Sequence, residues 1–420
     1  MERAKLIVKN FGPLKDIEIE VREMVTFIGA QASGKSTLAK LLSIFEDENF
    51  RRDSKITFED ELRKYNMFSF LSLSSYIKYT KGEYNFEFEN GNYTKINPRE
   101  LLKNEFIDLV GLKDSSKEVK SKKFTELLLK DIKSKYKIDL PITLRKIATT
   151  LNDFSKNNIQ NYDSKKIPIN VYFEFYENLL LEFNIIVKFD SIYIPSERNF
   201  LHLIAENTLG LINNNVQIPK HLLNSGQDYE KAIQTIKELP LSIIDKKLKY
   251  KREGKTSYIY HNENEKVDLL ESASGLQSII PILLLVEYSK SLKDKYNFNF
   301  VVEEPELNLY PKAQHELIKY LVKNCLFDRK NLILTTHSPF ILASINNLLL
   351  AYDKGQSKPK EVNKIIKKES WLNPKNFIAY ELKNGKAKLI MDDKLGQIKE
   401  NMIDIISDEF SNEFDKLLDL

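Results

Sequence analysis

Cysteine is almost missing from this 420-residue chain: Cys325 stands alone. One thiol closes no internal disulfide, which excludes a disulfide-stapled secreted scaffold and points to a reducing cytoplasm, with Cys325 as a small buried side chain. Glycine and proline are scarce too, 13 of each, so collagen-like and low-complexity chains are excluded. Long apolar runs are absent. The longest, residues 279–286, contains Pro281 and falls far short of the roughly 20 residues that a membrane span requires. The first residues carry Glu2, Arg3, Lys5 and Lys9 with no apolar signal core behind them, so a soluble cytoplasmic chain without a membrane partner is expected.

Excess charge of one sign is also small. Lys and Arg number 64 against 60 Asp and Glu, a net of +4, too little to define a nucleic-acid binder. The charge is segregated, however. Residues 111–170 hold 14 basic against 7 acidic side chains, net +7, and residues 391–420 hold 3 against 9, net −6. What is present in quantity, 42% hydrophobic and 30% charged residues, suits one large globular domain or two ordinary ones.

Apolar alternation predicts strands over residues 5–9 and 16–21 around an Asn10-Phe11-Gly12-Pro13 turn, then a short buried strand over 24–28 that ends at glycine. Residues 36–45 have helical spacing, and 76–96 read as strands with a hairpin at Asn90-Gly91. Residues 98–167 turn helical and lysine-rich, and 171–194 return to strand-like material. Residues 199–250 read as mostly helical, followed by strands near 257–270. Beyond Gly275 strand and helix alternate, which indicates a parallel sheet covered by helices. A hairpin at Asn384-Gly385 and an amphipathic acidic tail over 397–420 complete the chain. This gives a division into a first lobe (1–97 and 185–200), a basic helical insertion (98–184), a helical connector (201–254) and a second lobe (255–420).

The chemistry sits at the ends of the predicted strands. Gly29, Ala30, Gln31, Ala32, Ser33, Gly34, Lys35, Ser36 and Thr37 spell G-x-x-x-x-G-K-[ST] between a buried strand and a helix. There the loop amides and helix N-terminus face phosphate oxygens, Lys35 neutralises the β/γ charge and the Ser36 hydroxyl ligates Mg²⁺. The strand over 298–302 delivers Glu303 and Glu304: Glu303 holds Mg²⁺ through water, and Glu304 orients or deprotonates the attacking water. The next strand ends in Thr336-His337-Ser338-Pro339, which puts His337 at the same sheet edge as a γ-phosphate contact. Between these, Ser274, Gly275 and Gln277 open a helix and form a second anion site. Arg198, in Pro195-Ser196-Glu197-Arg198, is either a phosphate or neighbouring-subunit contact or a structural ion pair.

This order of phosphate loop, Ser-Gly signature, Glu-Glu-Pro-Glu and Thr-His-Ser resembles the ABC-type ATPase superfamily in its SMC, RecF and OLD branch. So do the opening LIVKNFGPLKDIEIEV, the segment YIPSER and the string EEPELNLYPKAQ. The resemblance implies an α/β P-loop ATPase head with a mixed-sheet lobe, a helical insertion and a parallel-sheet second lobe, using ATP and Mg²⁺. It also implies a head-to-tail dimer, or a larger ring, in which Ser274 and Gly275 of one subunit close over the nucleotide of the other. There are departures. Glu303 replaces a common Asp, no glutamine occurs between Gln31 and Gln160 to supply the usual contact after the first lobe's strands, and Asn308 and Tyr310 stand near the place of a transporter-type Asp. The chain is similar to the ATPase subunits of PARIS- or Septu-type antiphage systems, which implies a separate nuclease or toxin effector as partner. A RecF-like repair ATPase, with DNA on the basic insertion, is the alternative.

Overall fold

The computed structural model describes residues 3–53, 55–82, 84–96, 98–110, 169–182, 189–213, 216–292, 297–326, 331–392 and 394–419. Residues 97–188 form a compact unit apart from the unit made of residues 1–96 and 189–420. Most of the basic insertion, residues 111–168, lies outside the described residues.

The larger unit is built on one 11-stranded sheet. Strands β1 (Ala4–Phe11) and β2 (Leu14–Val21) bury alternate residues, as a half-covered antiparallel pair must. β3 (Met24–Gly29) is buried at every position and leads through the glycine-rich loop into α1 (Lys35–Glu46). The short helices α2 (Glu48–Arg52) and α3 (Phe58–Lys64) precede the meander β4 (Tyr76–Lys81), β5 (Tyr84–Glu89) and β6 (Asn92–Lys95). Asn90 and Gly91 both take positive φ in the tight turn between β5 and β6, as the Asn-Gly signal requires. In the smaller unit, α4 (Pro98–Val110) carries Phe106, packed on Phe173 and Tyr176 of α5 (Ile169–Glu182), and Arg99 pairs with Glu177 at 3.3 Å.

The chain returns to the sheet with β7 (Phe189–Ile194), then forms α6 (Phe200–Asn213) and α7 (Lys220–Thr235). A separate four-stranded sheet follows: β8 (Glu238–Pro240), β9 (Lys249–Glu253), β10 (Thr256–Tyr260) and β11 (Lys266–Asp268). Next come α8 (Ser274–Ser291), β12 (Asn297–Glu303), α9 (Pro311–Cys325), β13 (Asn331–Thr336), α10 (Pro339–Ser357) and α11 (Pro359–Ile365). The hairpin β14 (Phe377–Lys383) and β15 (Lys386–Leu389), the small pair β16 (Met391–Asp392) and β17 (Gln397–Ile398), and α12 (Met402–Leu418) end the fold. Cys325 is buried. Among the described residues no helix is long and apolar enough to cross a membrane.

Strand order across the large sheet is β6-β5-β4-β1-β2-β15-β14-β3-β13-β12-β7. An antiparallel half and a parallel half are therefore continuous, and the parallel half takes β3 and β7 from the first lobe of the sequence division and β12, β13 and β14 from the second. Two other expectations are corrected. Residues 169–182 are helix, not strand: Tyr172, Phe173, Tyr176, Leu179 and Leu180 are buried at helical spacing, so the β-favouring composition gives way to period 3.6. Residues 238–253 belong to the small sheet rather than to a helical connector, because β9 pairs with β10 and buries Tyr250 and Ile259 on one face.

Candidate functional site

The parallel strands bring their carboxyl ends to one edge. Register aligns Ile28 with Thr336, Thr335 with Glu303 and Val302 with Ile194, so the loops after β3, β13, β12 and β7 open side by side. This is the edge where open α/β sheets bind ligands.

Gly29 begins the phosphate loop at φ 154, and a Cβ there would lie 2.6 Å from the Leu382 carbonyl oxygen, so only glycine fits. Lys35 is 5% exposed and its ammonium donates to the carbonyls of Gly29 and Ala30, both at 2.9 Å. Burial pulls its pKa down, while Glu304, Glu306 and Glu303 pull it back up. The loop therefore carries a desolvated cation facing three carboxylates, held by weak acceptors it can leave.

Glu303 closes β12 and is buried, which raises its pKa. The hydroxyls of Tyr193 and Ser36 lie near its carboxylate, yet among the described residues Glu303 Oε1 has no hydrogen-bond partner, and neither has the Tyr193 hydroxyl or the buried Ser33 Oγ. A buried unpartnered carboxylate oxygen beside a serine hydroxyl is an oxygen donor set that suits a hard divalent cation such as magnesium, which keeps several waters and takes few protein ligands. Among the described residues no group of three or more His, Cys, Asp or Glu is placed to hold a metal.

Glu304 sits at φ 42, a left-handed conformation costly for a residue that carries a Cβ and suited to a functional turn. Its N–H donates to Thr335 O at 3.0 Å, and its carbonyl accepts from Arg198 Nη2 at 2.8 Å. The side chain stays partly exposed, with Oε1 3.7 Å from His337 Nε2. Burial lowers the His337 pKa, Lys35 lowers it further, and Glu304 opposes both. Glu306 joins the two strand ends: its Oε1 accepts from Thr336 Oγ1 and from His337 N, each at 2.8 Å.

Arg198 is fully buried. Its guanidinium donates to the carbonyls of Ser278, Glu303 and Glu304 at 2.8 to 2.9 Å and of Pro195 at 3.3 Å, so the structural role expected of an ion pair is filled by backbone carbonyls instead. Burial brings its pKa down to about 10, so it remains charged at neutral pH. Gly275 packs so closely on the turn after Glu304 that a Cβ would lie 2.7 Å from the Asn308 carbonyl oxygen. Ser274 is exposed at the start of α8, whereas the Gln277 amide is turned inward, donating to the carbonyls of Leu270 and Ser272 at 2.9 Å.

The sequence thus places the loop, Glu303, Glu304 and His337 on one edge, and its reading misses three supports. Gln314 donates to Leu309 O and accepts from Ser338 Oγ, tying the turn after β12 to the one after β13. His202 reaches the Gln277 carbonyl, and Glu306 holds the His337 backbone. Of these, only Glu306 has a sequence signal, its place in the acidic string.

A P-loop, paired carboxylates and a histidine on the edge of a parallel sheet define a nucleoside-triphosphatase-type site. The chain belongs to the AAA ATPase domain family, whose model matches residues 1–342. No curated protein matches it. Among solved structures it is similar to the SMC head domain of Pyrococcus furiosus bound to the C-terminal domain of ScpA, at 12% identity over 93% of this chain and 96% of that one, TM-score 0.36. The SMC head domain of Thermotoga maritima is similar at 12% identity over 93% and 98%, TM-score 0.36. MJ1267, an ATP-binding cassette of an ABC transporter in its ADP conformation, is similar at 11% identity over 92% and 90%, TM-score 0.32.

Proposed function

We propose that the chain binds Mg²⁺-ATP and hydrolyses it, with two copies closing head to tail as in the SMC, RecF and OLD branch. The observation that carries this reading is the Lys35 ammonium, buried on two loop carbonyls and faced by Glu303, Glu304 and Glu306. Lys35 leaves those carbonyls for phosphate oxygens when nucleotide fills the loop. Ser36 and Glu303 would hold magnesium, which would supply charge neutralisation at the phosphates. Glu304 takes the proton of the attacking water, and its strained backbone, fixed by Thr335 and Arg198, aims the carboxylate. His337, fixed through Glu306, positions that carboxylate and faces the phosphate end. Ser274 and Gly275 act on the nucleotide of the partner subunit.

The test is Glu304→Gln, which keeps shape but removes the base. ATP binding by calorimetry should persist while turnover falls by about 10² or more. Undiminished hydrolysis would move the base to Glu306 or His337.

We further infer that this cycle regulates a separate nuclease or toxin in antiphage defence. Its support is the motif order shared with the ATPase subunits of such systems. Copurification with the products of neighbouring genes decides it: a toxin-like nuclease supports the reading, and recombination factors replace it with the repair role.

A further inference from the structure

Two surfaces of the larger unit, neither of them part of the nucleotide-site motifs, are chemically complementary. The first is α12. Its 17 residues span about 25 Å, and Ile406, Phe410, Phe414 and Leu417 recur at spacings of four, four and three, the signature of one apolar helix face. These side chains meet solvent: Phe410 is 66%, Phe414 61% and Leu417 68% exposed. Among the described residues only the start of the helix is tied to the sheet, through Ile403 packed on the core and Met402 N donating to Glu381. Residues 402–418 hold five acidic side chains and one lysine, net −4.

The second surface is the corner where α10 passes into α11. Residues 354–368 hold six lysines and one glutamate, net +5. Lys358, Lys360, Lys364, Lys367 and Lys368 are exposed and have no carboxylate within salt-bridge distance among the described residues. In their midst Ile365 is 81% exposed, the most exposed large apolar side chain described. Within one chain neither surface covers the other.

An exposed apolar stripe of this size marks an interaction site. The charges select the occupant. Acidic flanks repel the anionic surface of a membrane, and pairing α12 with another α12 sets −4 against −4. The lysine corner offers the opposite sign around an apolar centre. We propose that α12 of one copy docks on the α10–α11 corner of a second copy. Because donor and acceptor patches differ, two copies either exchange the contact reciprocally in a two-fold dimer or repeat it head to tail into a ring or a chain of subunits. It needs no nucleotide, which separates it from the proposed nucleotide-sandwich dimer.

Sedimentation of the full chain without nucleotide tests this. Association should grow with concentration at low salt, weaken toward ~1 M salt, where screening shrinks to about 3 Å, and be unchanged in Lys35→Ala. Phe410→Asp with Phe414→Asp should weaken it by about tenfold or more. The decisive pair reverses charge. One chain carries Asp408→Lys, Glu409→Lys and Asp415→Lys; the other carries Lys364→Glu, Lys367→Glu and Lys368→Glu. Each alone should stay monomeric, and their mixture should associate, since each helix then meets a corner of opposite sign. Thermal melting of each variant confirms that it is folded. A chain monomeric at every concentration, an association indifferent to either set of changes, or one that needs ATP overturns the proposal.

Discussion

Glu304 shows how one residue's backbone can matter as much as its charge. At φ 42 it is held against its own preference by Thr335 on the amide side and Arg198 on the carbonyl side. Arg198→Met would leave the carbonyls of Ser278, Glu303 and Glu304 without their donor in a dry site. A loss of roughly 2–5 kcal/mol is expected by chemical denaturation. Below the melting temperature, kcat should fall while KM for ATP changes little, because the phosphate loop is untouched; a fall confined to stability would leave Arg198 with a merely structural role. The phosphate loop was legible in the sequence because its parts are contiguous. Arg198 was not, because three of its four acceptors lie 80 to 106 residues away and a lone arginine in a motif announces no partner.

At the scale of elements, helix α8 runs through Pro281 without ending. Proline has no N–H for the carbonyl four residues back, so the Gln277 carbonyl is released from the helix ladder. His202 of α6 takes it, with Nε2 at 2.8 Å, while Nδ1 lies 2.8 Å from the Tyr229 hydroxyl of α7. A carbonyl only accepts, so Nε2 carries the proton and Nδ1 accepts from tyrosine. Three helices thus meet on one neutral imidazole behind the Ser274 turn. Burial lowers the His202 pKa to about 4, against about 6.5 unfolded. Its contribution to stability is therefore complete above pH 6.5 and is lost as pH falls toward 4, by about 3 kcal/mol in all. The stability gap between the wild-type chain and His202→Gln, measured in urea at pH 7 and pH 4, should shift by that amount; an unchanged gap would place His202 outside the titration. Strand and helix order after Gly275 was legible from alternation alone, whereas α5 was not: a run rich in Tyr and Phe favours strand locally, and the neighbours it packs on select the helix.

For the molecule as a whole, the joining of distant segments in one sheet decides where the site can work. β3, from the first thirty residues, lies between β13 and β14, from the last hundred, so the phosphate loop and the carboxylates of β12 share an edge within one chain. That sharing was not legible in a division into lobes, since strand pairing across some 300 residues leaves no local mark. Ser274 stands apart in kind: exposed on its helix start, it is free to meet another chain, and under the proposed head-to-tail closure it faces the partner's nucleotide. Ser274→Arg should then leave ATP binding largely intact and stop hydrolysis, while Lys35→Ala loses binding itself. In a mixed dimer of the two variants, one site combines both lesions and the other has a native phosphate loop facing a native Ser274. Hydrolysis should therefore return when two inactive chains are mixed. Differential tags must first show that mixed dimers form, since subunits that fail to exchange would also be silent. Confirmed mixed dimers that stay inactive mean that Ser274 acts within its own chain or that both sites must fire together, and normal hydrolysis by Ser274→Arg alone removes the trans site.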